Sequence, residues 1–170
     1  MKKFFLKIVF LILFSSPSFA CPLLSVDIGT PVRDARNTFE FLMAYKPDVY
    51  GKIYSAKYHA YAADYCEGSN LENTDLEVII YDSKVAGINL VSTDSEIKNE
   101  IFNFVKNNIA DPGSDAEKED WVGYKDLSLG NLVIMYSKMD IRDEIFEVLE
   151  ISNPQMMAYT TGEEVIEVNG

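Results

Sequence analysis

Two apolar runs separated by a short polar break constrain the fold of this chain more than any other feature. The first run is Leu-Glu-Val-Ile-Ile-Tyr from Leu76, the second ends at Val91, and Asp82-Ser83-Lys84 lies between them. Two β-prone runs joined by so short a polar break are typical of an antiparallel hairpin. The segment 76–92 therefore predicts a β-hairpin.

An amphipathic helix is predicted upstream, over 31–44. Thr30-Pro31 is a helix-start signal, because a capping hydroxyl precedes a proline at the first helical position. The apolar residues that follow have helical spacing: Val32, Ala35, Phe39, Leu42 and Met43.

A second helix is predicted over 94–109. Thr93 and Glu96 have the spacing of a capping box. The apolar stripe behind them consists of Ile97, Ile101, Phe104 and Val105.

The remaining segments mostly favour strands. The segment 52–66 fits both helical and strand spacing, and its tyrosines favour a strand. Strands are also expected at 121–124, 132–137 and 144–152, although 140–150 fits helical spacing too, and 165–168 is expected to add a short one. The fold class is therefore α+β, with one or more antiparallel sheets packed by two amphipathic helices.

An internal similarity suggests a tandem helix-strand-hairpin repeat. Val-Ile-Ile-Tyr-Asp-Ser-Lys from Val78 is echoed by Val-Ile-Met-Tyr-Ser-Lys from Val133. Each copy follows an amphipathic segment, which predicts repeats at 27–92 and 93–168 and two sheets, each backed by a helix. A chance match between two apolar strands is the alternative. The order resembles the tandem helix-plus-sheet arrangement of the exported β-lactamase inhibitor proteins, and implies no residue role or activity.

The first 20 residues have the order of a secretory signal peptide. Lysines at positions 2, 3 and 7 precede or interrupt an apolar segment, and Ser18 and Ala20 put small residues at −3 and −1. The 11 residues 4–14 are too few for a spanning helix, which needs about 20. We expect 1–20 to be removed and 21–170 to form a single domain without a transmembrane segment.

The two cysteines are expected to pair. In an oxidising compartment a Cys21–Cys66 disulfide is favoured over free thiols. The alternative is a lipoprotein anchored through Cys21, which would exclude the bridge. The location is therefore outside the inner membrane, in the periplasm or the medium.

Charge limits the class of partner. The chain has a formal charge of −12, and removal of three lysines with 1–20 leaves 12 basic residues against 27 acidic ones, a charge of −15. Such a surface repels nucleic acid and anionic lipid. Charged partners should be basic.

No catalytic or cofactor motif stands out. His59 is the single histidine, so any Ser-His-Asp or Cys-His site would depend on it, and no nucleophile motif accompanies it. A zinc site would need three or four nitrogen and sulfur ligands, which the chain cannot supply without breaking the Cys21–Cys66 bridge. The acidic stretch 111–120 lacks the pattern of an EF-hand, and the glycines are scattered singly. We expect no catalytic residues, metal or cofactor.

Tyrosines form the most prominent candidate binding surface. Tyr54, Tyr58, Tyr61 and Tyr65 lie close together in the sequence, and tyrosine is enriched at recognition surfaces. Packing of these rings beneath the helix at 31–44 is the alternative. The sequence favours an exported, non-enzymatic binding protein of the bacterial cell envelope. The alternatives are a secreted hydrolase that uses carboxylates and an exported protein inhibitor.

Overall fold

A six-stranded antiparallel sheet organises the protein. The computed structural model describes residues 21–46 and 55–157. The strands are β1 (Ser55–Tyr61), β2 (Thr74–Tyr81), β3 (Lys84–Ser92), β4 (Gly123–Leu129), β5 (Leu132–Ile141) and β6 (Glu144–Ser152). The predicted signal segment 1–20, Tyr54 and the predicted strand 165–168 lie outside the described residues.

The sheet consists of two three-stranded meanders that meet at β3 and β6. Its strand order is β1-β2-β3-β6-β5-β4, and every neighbouring pair is antiparallel. The predicted hairpin at 76–92 is confirmed as β2 and β3, and the antiparallel sheet with it. The described residues form one continuous sheet instead of two. The tandem repeat itself stays a prediction.

Two-residue turns with positive φ fix the β2–β3 and β5–β6 hairpins. Asp82 and Ser83 join β2 to β3, and Arg142 and Asp143 join β5 to β6, all with φ between 47° and 66°. Turns with both central residues at positive φ match the twist of paired strands. The turn at 142–143 explains why 140–150 is strand, although helical spacing also fits it.

The predicted continuous helix over 31–44 is wrong. Only α1 (Val32–Ala35) is α-helical, and a 3₁₀ helix follows at Glu40–Ala44. The Arg36 side chain donates to the carbonyls of Leu42 (3.1 Å) and Tyr45 (2.9 Å), which folds the second turn back onto the first. Two further 3₁₀ helices lie at Pro22–Ser25 and Ala62–Tyr65.

The second helix, α2 (Glu100–Asn108), begins six residues later than the predicted 94. The expected capping box does not form, because the Asp94 carboxylate accepts the backbone N–H of Glu96 at 2.8 Å in a local turn. Ile97, expected in the apolar stripe, is 42% exposed.

The core lies on the face of the sheet that carries the helical segments. Alternate strand residues such as Leu76, Leu90 and Leu149 belong to one buried cluster with Ile101 and Val105 of α2. Leu23 of the Pro22–Ser25 helix and Phe39, directly before the Glu40–Ala44 helix, belong to the same cluster. The core therefore anchors α2 against the centre of the sheet.

Candidate functional site

A polar cleft of about 220 Å³ lies between α2 and the turn that follows the Ala62–Tyr65 helix. Its lining combines amides, carboxylates and a hydroxyl with a few other groups: Cys21, Glu67, Gly68, Ser69, Asn70, Glu100, Asn103, Phe104, Asn107 and Asn108. No lysine or arginine is among them. The cleft is therefore anionic and rich in hydrogen-bonding groups.

The predicted Cys21–Cys66 disulfide is confirmed and supports one wall of the cleft. The two Cα atoms are 4.5 Å apart, and Cys66 is buried. Its carbonyl accepts the backbone N–H of Ser69 at 3.0 Å, which closes the turn, and Gly68 has φ +75° there. The neighbouring Leu71 is fully buried. The disulfide at Cys66 and the buried side chain of Leu71 therefore hold the two ends of this wall in place.

The opposite wall is α2, whose start is fixed by a carboxylate from β6. Glu147 is 3% exposed and accepts the backbone N–H groups of Ile101 (3.1 Å) and Phe102 (3.2 Å). The first N–H groups of a helix have no partner within it, so the side chain of a distant strand supplies their acceptor. Tyr136 donates its hydroxyl to the same carboxylate at 2.5 Å.

Buried polar groups surround this capping carboxylate. Burial, followed by the negative charge of Glu147, raises the pKa of Tyr136, which therefore stays a hydrogen-bond donor. Lys138 is 2% exposed and donates to the Asn99 side chain (2.6 Å) and the Lys118 carbonyl (3.0 Å). Burial lowers the pKa of Lys138, and the attraction of Glu147 opposes that shift. The cluster holds α2 in place and is closed to solvent.

Glu100, the first residue of α2, is the unusual group of the cleft. It is 7% exposed, and its Oε1 accepts the backbone N–H of Asn73 at 3.1 Å. Its Oε2 is buried and has no hydrogen-bond partner among the described residues. Burial raises the pKa of Glu100, hydrogen bonding to Asn73 and to the Glu72 backbone lowers it, and the nearby Glu147 raises it further. An unpaired buried polar atom costs about 1–3 kcal/mol.

Asparagine amides line the cleft beside this carboxylate. Within the described part of the chain, the side chains of Asn70, Asn103 and Asn107 make no hydrogen bond, whereas Asn108 donates to the Phe104 carbonyl at 2.8 Å. An amide offers both a donor and an acceptor. Three side chains are thus available to a polar ligand.

Sequence reasoning missed this site because only the apolar spacing of α2 was considered. Glu100, Asn103 and Asn107 follow the i, i+3, i+7 spacing of a second, polar stripe. Asparagine is a poor helix former, so its recurrence on one helical face was the available signal. The contribution of the turn at 67–70 depends on tertiary structure and left no such pattern.

The structure separates the tyrosines predicted as a surface. Tyr61 is 69% exposed at the end of β1, whereas Tyr58, an odd number of residues away, points to the opposite face and is half-buried. Tyr65 is half-buried and packs edge-on against Phe39, with ring centroids 5.7 Å apart. Tyr54 lies outside the described residues. A binding role for these tyrosines stays a prediction.

The other groups considered from the sequence have local partners. His59 Nδ1 lies 3.6 Å from Glu77 on the adjacent strand. In the acidic stretch, Lys125 donates to Asp115 at 2.6 Å, and this hydrogen bond lowers the pKa of Asp115. The described residues contain no group of three or more His, Cys, Asp or Glu side chains placed to hold a metal ion.

Comparison with known proteins leaves the function to be argued from the cleft. The chain matches no protein-family model, no curated protein and no solved structure. In the described ranges, no helix has the length and apolar character needed to cross a membrane.

Proposed function

We propose that this chain is an exported, non-enzymatic binding protein of the bacterial cell envelope, and that the cleft between α2 and the turn at 67–70 holds its ligand. One observation carries the proposal: Glu100 Oε2 is buried without a partner in a cleft lined by uncommitted amides. Buried polar atoms without partners are rare in folded proteins. A ligand that donates to Glu100 would remove this cost.

The disulfide supports the location. Disulfides form and persist outside the reducing cytosol, so the Cys21–Cys66 bridge fits an exported protein. It also leaves no thiol at Cys21 for acylation, which favours the bridged form over the lipoprotein alternative. An intact mass two protons below that of the dithiol, with no lipid, would be expected for the processed chain.

The size of the cleft limits what it can enclose. At about 220 Å³ it is smaller than the roughly 300–1,000 Å³ of pockets for drug-sized ligands. A cleft of this volume can enclose a chemical group about the size of one sugar ring. We infer that the cleft holds the polar end of a larger envelope molecule, with the rest of that molecule outside.

The test is ligand-observed NMR with the chain 21–170 and a panel of soluble envelope polysaccharide and peptide fragments. Asn103→Leu/Asn107→Leu would replace two exposed amides on the cleft wall and should abolish the signal of any fragment that binds. Asn37→Leu/Asn131→Leu makes the same changes at exposed sites outside the cleft and should retain it. Equal signals for the two double variants would place binding elsewhere.

A second candidate, a hydrolase that uses carboxylates, has one observation in its favour. Glu67 is exposed and Glu100 is buried with a raised pKa, and both line the same cleft. Two carboxyl groups in different surroundings are the arrangement of an acid and an ionised partner in glycoside hydrolysis.

Turnover separates the two candidates. A binding protein leaves a bound fragment intact on prolonged incubation, whereas a hydrolase releases new reducing ends. In the hydrolase case Glu100→Gln and Glu67→Gln would each abolish that release. Intact fragments with the wild-type protein would contradict the hydrolase.

A further inference from the structure

We propose that the group that enters the cleft is a protonated primary amine on a hydroxyl-bearing scaffold, as in an amino sugar, and that its ammonium pairs with Glu100. This inference rests on the proposed function and names its ligand class. It is carried by the juxtaposition of a buried, half-paired carboxylate with free amides in a cleft that has no basic side chain.

The residues that line the cleft determine which sign of charge a ligand can carry. Glu67 and Glu100 are the only acidic or basic side chains in the lining, and both are acidic. The chain as a whole carries −12. A phosphate or carboxylate would meet repulsion without any compensating lysine or arginine, whereas an ammonium would gain attraction from both carboxylates.

The number of acceptors fits an ammonium better than a metal ion. An ammonium has three donors, and Glu100 Oε2, the Glu67 carboxylate and an asparagine carbonyl can accept them. Calcium takes six to eight oxygens and magnesium a near-ideal octahedron. Among the described residues no three metal-binding side chains are placed to hold a metal ion.

The asparagine amides of the cleft are the reason for proposing that the ligand carries hydroxyl groups. Asn70, Asn103 and Asn107 lie along the cleft and can each donate to and accept from a hydroxyl group. Phe104, which is 5% exposed, adds only a small apolar area to the lining. The combination recognises a ring that carries both hydroxyl groups and one amine.

Selectivity should depend on Glu100 because its Oε2 needs a donor. An N-acetylated amine is neutral and larger, so it cannot supply the ammonium and leaves the carboxylate buried and unpaired. A charged hydrogen bond contributes about 1.5–3 kcal/mol. The amine should therefore bind at least about tenfold more tightly than its acetylated form, since 1.4 kcal/mol is a factor of ten.

The test is isothermal titration of the chain 21–170 with two probes, the trimer of glucosamine and the trimer of N-acetylglucosamine, in one near-neutral buffer, since the raised pKa of Glu100 makes its carboxylate harder to keep ionised in acid. Wild type should prefer the glucosamine trimer by at least about tenfold. Glu100→Gln keeps an oxygen for the Asn73 N–H and should remove that preference. A thermal melt of the variant checks that it folds.

The control separates a specific ammonium site from general attraction to an acidic protein. Glu96→Gln removes the same charge at an exposed position outside the cleft and should keep the full preference. A preference that persists in Glu100→Gln, or one that Glu96→Gln reduces equally, would overturn the inference.

The outcomes for the two proposals differ. Equal binding of the two trimers would contradict the amine and leave the proposed binding function in place. If neither trimer binds, the amine inference is wrong. The proposed function fails as well only if every envelope fragment of the wider panel also fails to bind.

Discussion

Removal of the Glu147 carboxylate should destabilise the protein more than any exposed substitution, because one side chain accepts three buried donors. These are the backbone N–H groups of Ile101 and Phe102 and the hydroxyl of Tyr136. Glu147→Ala leaves all three without an acceptor. At about 1–3 kcal/mol for each of these three unsatisfied groups, we expect a loss of at least about 3 kcal/mol.

Glu147→Gln provides a graded comparison. It keeps one acceptor oxygen of similar reach but replaces the other with an NH₂ group, which cannot accept from a helix N–H. A loss of about 2 kcal/mol is expected, since one capping bond and the charge are removed. Domains of this size are stable by about 5–15 kcal/mol, so both losses should be readily measured.

The assay is urea unfolding of the chain 21–170, followed by fluorescence. Trp121 is the single tryptophan and stacks on Tyr136, with ring centroids 6.3 Å apart and planes within 7°. Its emission therefore reports on the capping cluster directly. Glu96→Ala, an exposed control before α2, should change the free energy of unfolding by less than about 0.5 kcal/mol. If Glu147→Ala matches this control, Glu147 does not hold the start of α2.

Three further predictions concern the disulfide, the cleft and a turn. Cys21→Ala/Cys66→Ala should lower the free energy of unfolding by about 4 kcal/mol, because the bridge closes a separation of 45 residues. Urea unfolding measures this loss, and an unchanged unfolding midpoint would contradict it. Burial raises the pKa of the Glu100 carboxyl, so the folded protein binds this proton more tightly than the unfolded chain does. The contribution of Glu100 to stability is therefore largest at low pH and falls as the pH rises from the unfolded-state pKa through the folded-state pKa. Glu100→Gln should therefore gain stability relative to wild type from pH 4 to pH 7, and a constant difference would refute the linkage. Asp143→Gly should stabilise the β5–β6 hairpin by about 1 kcal/mol, because Asp143 has φ +66°, a backbone conformation that glycine adopts without strain. A lower melting temperature of the variant would show that the Asp143 side chain stabilises the turn by more than its backbone strain costs.

Local patterns predicted the sheet well because its hairpins are encoded by adjacent residues. The apolar runs on either side of Asp82 and Ser83 were enough to predict β2 and β3. Spacing alone did not decide 140–150, because Ile145, Val148 and Leu149 fit a helix and a strand equally. The turn at Arg142 and Asp143 decided it, and arginine is not a typical choice for positive φ.

The helices were less predictable because their ends depend on distant residues. The cap of α2 is Glu147, which lies 46 residues from Ile101 in the sequence. The break after α1 depends on Arg36, whose guanidinium bonds to carbonyls six and nine residues later. The expected helical face predicted buried positions only in part, since Phe39 and Leu42 are fully buried but Met43 is 66% exposed.

The candidate site was only partly accessible from the sequence. The Cys21–Cys66 pairing followed from the expected compartment, and it anchors one wall of the cleft. The cleft itself needs the wall at 67–70 to face α2, which no local pattern encodes. Glu100 Oε2 is buried without a partner at this cleft, and such departures from the rules of a stable core are expected at functional sites.

The most direct measurement of the central claim is a two-dimensional NMR titration of ¹⁵N-labelled chain 21–170 with the glucosamine trimer. The side-chain amide signals of Asn103 and Asn107 should shift together with the backbone signal of Gly68, while that of Asn131, outside the cleft, stays in place. The shifts should be lost in Glu100→Gln. Saturable shifts that cluster on another surface would contradict a ligand site between α2 and the disulfide-anchored turn, and cleft shifts that persist unchanged in this variant would contradict the pairing with Glu100.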